Sequence, residues 1–274
     1  MSEHADGMRF ACQTYSWQMS IDRYRGRIDE MAAATARAGF AGFEPELVML
    51  GDDWNASLLR EVLEPKGLAL AALVLVEDWD TGAETSAERV EANQAIDAIA
   101  SFPGTKLVLC PYPGHDRDRL RERQRSALAC MAAVAERAAD HGVACTFHPN
   151  SPDGSVFRTA EDYRVWADEL DARIGYTPDL GHIARGGMDP LTVVREFGDR
   201  VDHLHVKDAH ADGTWAPTGE GVVDVRGVLD HLRAHGFAGW VTFEDESEQA
   251  RRDPVGAALA NGRFVADYLR DEGR

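Results

Sequence analysis

The chain has 274 residues, of which 44% are hydrophobic and 28% are charged, a composition typical of a globular protein with a sizeable core. Its formal net charge is −18, from 47 acidic residues against 29 lysines and arginines. This charge argues against nucleic acid or an anionic membrane as the main partner, and no apolar run approaches the roughly 18 residues of a membrane span.

The predicted elements alternate between strand and helix along the chain. Residues 1–7 are expected to form a disordered leader, and residues 8–274 a single catalytic domain. Strands are predicted at residues 8–15, 40–44, 68–75, 106–110, 143–147, 174–178, 201–206 and 240–243. Helices are predicted at residues 28–38, 56–63, 86–100 and 117–140, after the capping residues Thr159 and Asp189, and at residues 225–235 and 255–269. Eight successive strand–helix units predict an α/β fold of the (β/α)8 barrel class.

The four cysteines, at positions 12, 110, 130 and 145, have no metal-binding or redox spacing. Three of them lie in apolar, strand-like runs, where cysteine usually packs as a small hydrophobic residue. We therefore expect a reduced, cytoplasmic protein without disulfides. No glycine-rich dinucleotide motif follows the first predicted strand, so a nucleotide cofactor is not expected.

Residues 201–208 carry the strongest functional signal of the chain. His203, His205 and Lys207 alternate along a predicted strand and therefore point to the same side. Three titratable side chains on one face are too polar for a core and predict a lined site. The alternative is a polar strand end that merely faces water.

Polar side chains also follow the other predicted strands. They are Gln13 and Tyr15, Glu44 and Glu46, His148 and Asn150, Asp179 and His182, and Glu244. In a (β/α)8 barrel these strand ends meet at one mouth, where several carboxylates would repel each other unless a cation lay among them. Imidazoles and carboxylates together suit Mn²⁺, Co²⁺, Fe²⁺ or Zn²⁺. Such an ion polarises a carbonyl, and Glu44, Glu46, His182 or Lys207 would move the proton of the neighbouring carbon.

Several of these motifs, in this order, resemble one known family. They are the segments 42–44, 179–182, 203–208 and 219–221, together with Glu244. The resemblance is to the sugar phosphate isomerase/epimerase family with the xylose-isomerase-like barrel, and it covers residues 8–269. It implies a divalent metal ion held by Asp179, His205 and Glu244. Mn²⁺ is the expected ion, and Co²⁺, Fe²⁺, Mg²⁺ and Zn²⁺ are the alternatives.

One position departs from the family pattern. Members usually place a glutamate ligand at the end of the fifth strand, where this chain has His148. A histidine at this position resembles the pattern of the inosose dehydratase branch more than that of the ketose epimerases. Ketose epimerases transfer the proton with two glutamates, and this chain matches only one of them, so their full mechanism cannot be assigned to it. We expect His148 either to bind the metal or to orient a water molecule.

The resemblance implies an isomerase, an epimerase or a carbon–oxygen lyase of carbohydrate metabolism. Its substrate would be a keto-sugar, a keto-cyclitol or a 3-keto-glycoside, deprotonated beside the carbonyl through an enediolate. The predicted strand ends carry no cluster of basic residues that could bind a phosphate group. An unphosphorylated substrate is therefore expected. The predicted catalytic residues are Glu44, His182, Lys207 and Glu244. The predicted substrate contacts are Gln13, Tyr15, Glu46, Asn150, His203, Trp215 and Glu220.

Structural alternatives stand beside these roles. His182 could simply pack below the site, His203 could support a ligand instead of touching substrate, and Lys207 could pair with an acid. Glu246 and Glu248 are predicted to be solvated. Two other functions also stay open, a non-catalytic sugar-binding subunit and a metal-dependent endonuclease, although the negative charge opposes the second. The partner is expected to be a small molecule, with a homo-oligomer or a partner subunit possible.

Overall fold

The chain is described by a computed structural model from residue 7 to residue 272. The leader predicted for residues 1–7 therefore lies outside the described residues except for Gly7, and the division into a leader and one catalytic domain stays a prediction. The barrel strands are β1 (Arg9–Gln13), β2 (Gly42–Glu44), β3 (Ala69–Leu70 and Ala72–Glu77), β4 (Lys106–Pro111), β5 (Ala144–Phe147), β6 (Gly175–Tyr176), β7 (Leu204–Val206) and β8 (Trp240–Phe243).

Neighbouring barrel strands are parallel throughout residues 7–272. β1 pairs with β2 on one side and with β8 on the other, and β8 pairs with β7. β3 joins β2 to β4, and β4, β5 and β6 follow in chain order. A bridge between Tyr176 and Val201 and another between Asp179 and His205 close the ring between β6 and β7. The predicted (β/α)8 barrel is confirmed.

Helices cover the outside of the barrel. They are α1 (Tyr15–Gln18), α2 (Ile21–Tyr24), α3 (Ile28–Arg37), α4 (Ala56–Leu63), α5 (Ser86–Ile99), α6 (Leu120–Asp140), α7 (Ala160–Glu169), α8 (Leu180–Arg185), α9 (Pro190–Glu196), α10 (Val225–Ala234), α11 (Glu248–Arg252) and α12 (Pro254–Glu272). Short 3₁₀ turns span Leu47–Leu50, Glu64–Lys66 and Gly198–Arg200. The predicted cap at Thr159 is present as a capping box with Asp162, and Asp189 caps α9 ahead of Pro190. The short helices α1, α2 and α11 were not predicted.

The third strand was predicted as one continuous element, and the structure shows it in two segments. It is interrupted at Ala71, whose backbone N–H donates to the carbonyl of Phe43. The segment before Ala71 pairs with β2 and the segment after it pairs with β4, because one strand must change partner where the barrel curves. The barrel is thus closed on this side by two short segments.

The core fills the space between strands and helices. The run from Leu107 to Leu109 is fully buried, as expected for a parallel strand covered on both faces. All four cysteines are free and buried, in agreement with the prediction that they pack as apolar residues. Within residues 7–272, no helix has the length and apolar character needed to cross a membrane. Polar side chains are concentrated at the C-terminal ends of the strands.

Candidate active site

A cavity of about 200 Å³ opens at the C-terminal ends of the barrel strands. Its walls carry predicted site residues from six of the strand ends and from the loop after β7. They are Gln13, Tyr15, Glu46, His148, Asn150, His182, His205, Trp215 and Glu244. These residues are spread over more than 200 positions of the sequence, and the barrel brings them to one place.

Asp179, His205 and Glu244 form a polar group at this cavity, and His205 and Glu244 belong to its wall. One ligand atom from each lies within 4.8 Å of the others. The Nδ1 atom of His205 is 3.4 Å from Glu244 Oε2 and 3.9 Å from Asp179 Oδ2. His148 borders the same group, with its Nε2 atom 3.6 Å from Asp179 Oδ2. All four side chains are buried.

The donor atoms of this centre lack hydrogen-bond partners. His205 Nδ1, Asp179 Oδ2 and both ring nitrogens of His148 are buried and unsatisfied. Unpaired buried polar atoms are costly, and here they converge on one point. Imidazole nitrogen and carboxylate oxygen are also the donors that divalent transition metals accept. The residues present therefore fit a divalent ion.

Glu44 fixes the orientation of His205. The Nε2–H of His205 donates to Glu44 Oε1 at 2.5 Å, which leaves Nδ1 free toward Glu244 and Asp179. Burial disfavours a charged imidazole, but the carboxylates of Glu44 and Glu244 outweigh it and raise the pKa of His205 to about 10. A metal ion would take the place of that proton, an arrangement typical of carboxylate–histidine–metal groups.

The structure corrects the predicted roles of Glu44 and His203. Glu44 is fully buried and its Oε2 atom accepts hydrogen bonds from His203 Nε2 and Thr242 Oγ1, both at 2.7 Å. Neither Glu44 nor His203 lines the cavity. Glu44 thus cannot take a proton from a substrate, and His203 does not contact one. Both lie beneath the group of Asp179, His205 and Glu244, and Glu44 holds His205 in place.

Replacing Glu44 with glutamine is expected to weaken metal binding about 10- to 100-fold, because the neutral amide cannot accept from both histidines. The unfolding free energy should fall by about 3 kcal/mol, the usual cost of breaking a buried ionic group. Calorimetric titration with Mn²⁺ and urea unfolding measure the two effects. Thr242→Val is the matched control and should cost only about 1 kcal/mol, with metal affinity nearly unchanged. Equal effects in both variants would contradict the orienting role of Glu44.

Lys207 lies beside the metal-binding group. Its Nζ atom is 2.6 Å from Glu244 Oε1 and 3.5 Å from Asp179 Oδ2, and it also donates to Glu246. Burial opposes the ammonium, yet these carboxylates outweigh it and hold the pKa of Lys207 well above its usual value. Lys207 therefore stays charged and cannot act as a base. It can donate a hydrogen bond and supply positive charge.

His182 is held between Lys207 and Ser151. Its Nε2 atom lies 3.1 Å from Lys207 Nζ and its Nδ1 atom lies 2.8 Å from Ser151 Oγ. An ammonium only donates, so Nε2 is the acceptor and the ring carries its proton on Nδ1. Burial and the charge of Lys207 hold the pKa of His182 well below its usual value, so the imidazole is neutral.

Glu46 lines the cavity from the end of β2. Its Oε1 atom accepts from Gln18 Nε2 at 2.8 Å, and its backbone N–H donates to Thr14 Oγ1. Burial is the main reason that the pKa of Glu46 is raised to about 7. A carboxyl group with this pKa can take or give a proton near neutral pH. Glu46 thus occupies the position that was predicted for Glu44.

Glu246 was predicted to be solvated, and this is wrong. Its side chain lines the cavity and accepts from Lys207. Burial raises the pKa of Glu246 to about 7, despite the nearby ammonium. Glu244 and Glu246 are two positions apart in an extended segment, a spacing that places both on one side and could have indicated the pair.

The loop after β7 is organised around Asp208. The Asp208 carboxylate accepts hydrogen bonds from the backbone N–H groups of Gly219, Gly221 and Val223. A side chain at Gly221 would come within 2.2 Å of Asp208 Oδ1, so glycine there permits close approach to Asp208 and not to a substrate. Glu220 is exposed and outside the cavity wall, which corrects its predicted substrate contact.

The remaining predicted contacts keep their place at the cavity. Trp215 lies on a short antiparallel hairpin formed by Asp208–Ala209 and Trp215–Ala216. Asn150 donates from Nδ2 to the carbonyl of Pro111 at 2.8 Å, which ties the end of β5 to the end of β4.

Sequence reasoning missed three polar side chains of the wall: Gln18, Tyr112 and Arg185. Gln18 and Arg185 belong to helices of four and six residues, α1 and α8. Such short helices contain too few apolar positions for periodicity to reveal which face they bury. Tyr112 follows the end of β4, so its position just beyond that strand end was the signal that could have found it.

Comparison with known proteins agrees with this fold. The family described as xylose isomerase-like TIM barrel matches residues 32–267. An inosose dehydratase of Lacticaseibacillus casei is 24% identical over 87% of this chain and 87% of its own length. The rhizopine catabolism protein MocC of Rhizobium meliloti is 28% identical over 83% of this chain and 77% of its own length. The structure of IOLI protein with a bound zinc atom superposes with a TM-score of 0.73, at 16% identity, over 96% of this chain and 99% of that one.

The fold and the site together define an α/β-barrel enzyme of the isomerase, epimerase or lyase type, as predicted. The chain belongs to the xylose isomerase-like TIM barrel family. The resemblance that the sequence motifs indicated is thereby confirmed.

Proposed function

We propose that the protein is a divalent-metal-dependent enzyme that removes the proton beside the carbonyl of a keto-sugar, a keto-cyclitol or a 3-keto-glycoside. The observation that carries this proposal is the convergence of unsatisfied donor atoms from Asp179, His205 and His148 next to Glu244. They stand at the floor of a cavity whose walls hold neutral, acidic and cationic groups suited to proton transfer.

Asp179, His205 and Glu244 would hold the ion, and His148 would either complete the set or orient water. Asp179 is suited to this because only its Oδ1 atom caps α8, by accepting from the backbone N–H of His182 at 2.8 Å, while Oδ2 accepts no hydrogen bond. The ion would supply a Lewis acid that polarises a carbonyl and acidifies the adjacent C–H. Mn²⁺ is the first choice to test, because carboxylate oxygen and imidazole nitrogen both suit it.

The protein's own groups would move the proton and stabilise the charge that develops. Glu46, whose pKa lies near 7, is the candidate base that takes the proton. Lys207, whose ammonium stays charged, and His182, a neutral imidazole that accepts a hydrogen bond from it, lie beside the proposed metal ligands, and the positive charge of Lys207 would stabilise negative charge that develops on the substrate oxygen or on a leaving group. Tyr15 and Trp215 provide aromatic faces on which a sugar ring can pack.

The lyase branch is favoured over epimerisation. Epimerisation by two metal-binding glutamates would need a carboxylate at the end of β5, where this chain has His148. Burial lowers the pKa of His148, so the ring is neutral and lacks the charge of a glutamate. Expulsion of a β-substituent needs one base and one acid; Glu46 would be the base, and Glu246, which lines the same cavity and whose pKa is also raised to about 7, would be the acid. Similarity to inosose dehydratases supports the same branch.

The test is a reaction in D₂O with Mn²⁺-loaded protein, an inosose and a 3-keto-glucoside, followed by proton NMR. Deuterium should enter beside the carbonyl, and the lyase branch predicts loss of the β-hydroxyl or of the aglycone. A chelator should stop both changes. If protein that carries a bound ion exchanges no proton with either compound, the catalytic proposal fails and a sugar-binding subunit becomes the better explanation. The cytoplasmic location stays a prediction.

A further inference from the structure

Arg185 is a cation of the cavity wall that the proposed reaction does not use. Its guanidinium stacks on Trp215, 4.4 Å from the ring centroid, and the side chain is partly buried. Within the described part of the chain, no carboxylate forms an ion pair with it. Other partly buried guanidinium groups of this acidic protein are paired, for example Arg117 with Asp162 and Arg137 with Glu84. An unpaired guanidinium in a substrate cavity is available to a ligand.

Arg185 shares one face of α8 with two groups of the site. Asp179, His182 and Arg185 recur every third residue, a spacing that aligns side chains on a helix. At about 1.5 Å per residue, Arg185 lies about 9 Å along the helix from Asp179. One end of this row would bind the ion, and the middle accepts a hydrogen bond from Lys207. The other end reaches the part of the substrate that is farthest from its reacting carbonyl.

Trp215 fixes the guanidinium in this position. Its ring is 4.9 Å from the ammonium of Lys207 and packs edge-on against His182 at 5.2 Å. The small size of Gly181 permits this packing, because a Cβ atom there would lie 2.9 Å from Lys207 and Trp215. A guanidinium stacked on a held indole loses little freedom when it binds a planar anion.

We propose that Arg185 binds a carboxylate on the substrate, so that the enzyme's substrate is an acidic sugar or cyclitol derivative. This inference rests on the proposed function and names the substrate class for the same cavity. A carboxylate fits better than a phosphate, because the planar fork of one guanidinium matches two carboxylate oxygens. The other cation of the cavity, Lys207, is already bound to Asp179, Glu244 and Glu246.

The charge of the cavity allows an anionic substrate. Lys207, Arg185 and a divalent ion together balance the four carboxyl groups around them, which are Glu46, Asp179, Glu244 and Glu246. A monoanion would therefore enter a site without net negative charge. Removing the charge of Arg185 would leave the site with a net negative charge. The variant should therefore lose more affinity for an anionic sugar than for a neutral one.

The test compares 5-keto-D-gluconate with L-sorbose, which differ only in a carboxylate against a hydroxymethyl group. Calorimetric titration of the Mn²⁺-loaded wild type should give about tenfold tighter binding of the acid, the usual effect of a charge-assisted pair. Arg185→Gln should abolish this preference while binding L-sorbose and Mn²⁺ as the wild type does. Arg185→Lys should restore part of it. Arg195→Gln makes the same charge change at the N-terminal end of the barrel and should keep the full preference.

Equal affinities for the two compounds, or no binding of either, would overturn the inference, as would an Arg185→Gln variant that keeps the preference. Tighter binding of D-fructose 6-phosphate than of 5-keto-D-gluconate would replace the carboxylate with a phosphate and also overturn it. The proposed function fails on a different result, the absence of proton exchange in protein with a bound ion. Binding and exchange therefore separate the two failures.

Discussion

Alanine at His205 or at Glu244 is expected to remove the bound metal ion and, with it, the activity. The wild type, loaded with Mn²⁺ and dialysed, should retain about one ion per chain. Each variant loses one of three donor atoms that lie within 4.8 Å of one another, which breaks the group that would enclose the ion. Affinity should fall by more than about 100-fold, beyond the loss typical of an outer partner such as Glu44. Elemental analysis by mass spectrometry gives the metal content directly.

An exposed histidine provides the matched control for this experiment. His141 follows the C-terminal end of α6, away from the cavity, and His141→Ala should keep the full metal content and activity. Circular dichroism checks that the two ligand variants remain folded. Wild-type protein that binds no Mn²⁺, Co²⁺ or Zn²⁺ would contradict the metal centre itself. Stoichiometric metal in His205→Ala and Glu244→Ala would instead contradict the assignment of these residues.

The location of the site could be predicted from the sequence because barrel geometry is restrictive. Once eight strand–helix units are recognised, every strand end must face the same mouth, whatever its sequence position. Asp179, His205 and Glu244 each lie at such an end, and the structure brings them together. The periodicity of the chain and the polarity of the residues after each strand were enough to predict where the site lies, whereas the choice of these three residues as metal ligands came from the family resemblance.

The direction of individual side chains could not be predicted in the same way. Glu44 and Glu46 are two positions apart, which in a regular strand would place both on one side. β2 ends at Glu44, however, and the chain passes through Pro45 into a 3₁₀ turn, so Glu44 points beneath the site and Glu46 into the cavity. A turn of this kind depends on packing between β2 and β3, which a single sequence does not reveal.

Contacts made by short helices could not be predicted from the sequence either. Gln18 and Arg185 reach the cavity from α1 and α8, which contain four and six residues. A helix of this length is defined by its surroundings more than by its own apolar pattern, since short isolated helices are unstable. The sequence could therefore locate the metal-binding floor of the cavity but not the full wall that would contact a substrate.

Glutamine at Glu46 is expected to lower kcat by about 10²- to 10⁴-fold, the range for loss of a general base. Metal content should be unchanged, since Glu46 is not among the residues grouped around the ion site. Glu220→Gln is the matched control, because Glu220 is an exposed glutamate outside the cavity wall. It should retain wild-type kcat. Steady-state kinetics with the best substrate from the exchange assay measures both variants.

The pH dependence gives an independent readout for the same group. Burial raises the pKa of Glu46 to about 7, and only the carboxylate can take a proton, so wild-type kcat should rise with pH and fall as pH drops below that value. A divalent ion nearby favours the carboxylate and moves the midpoint somewhat lower. Glu46→Gln should lack this limb. Stability has the opposite sign: a raised pKa makes the folded wild type lose stability as pH rises from about 4.5 to about 7. Glu46→Gln should show a smaller loss, because Glu246 still contributes one. An unchanged pH–rate profile in the variant would move the role of base to another group of the cavity.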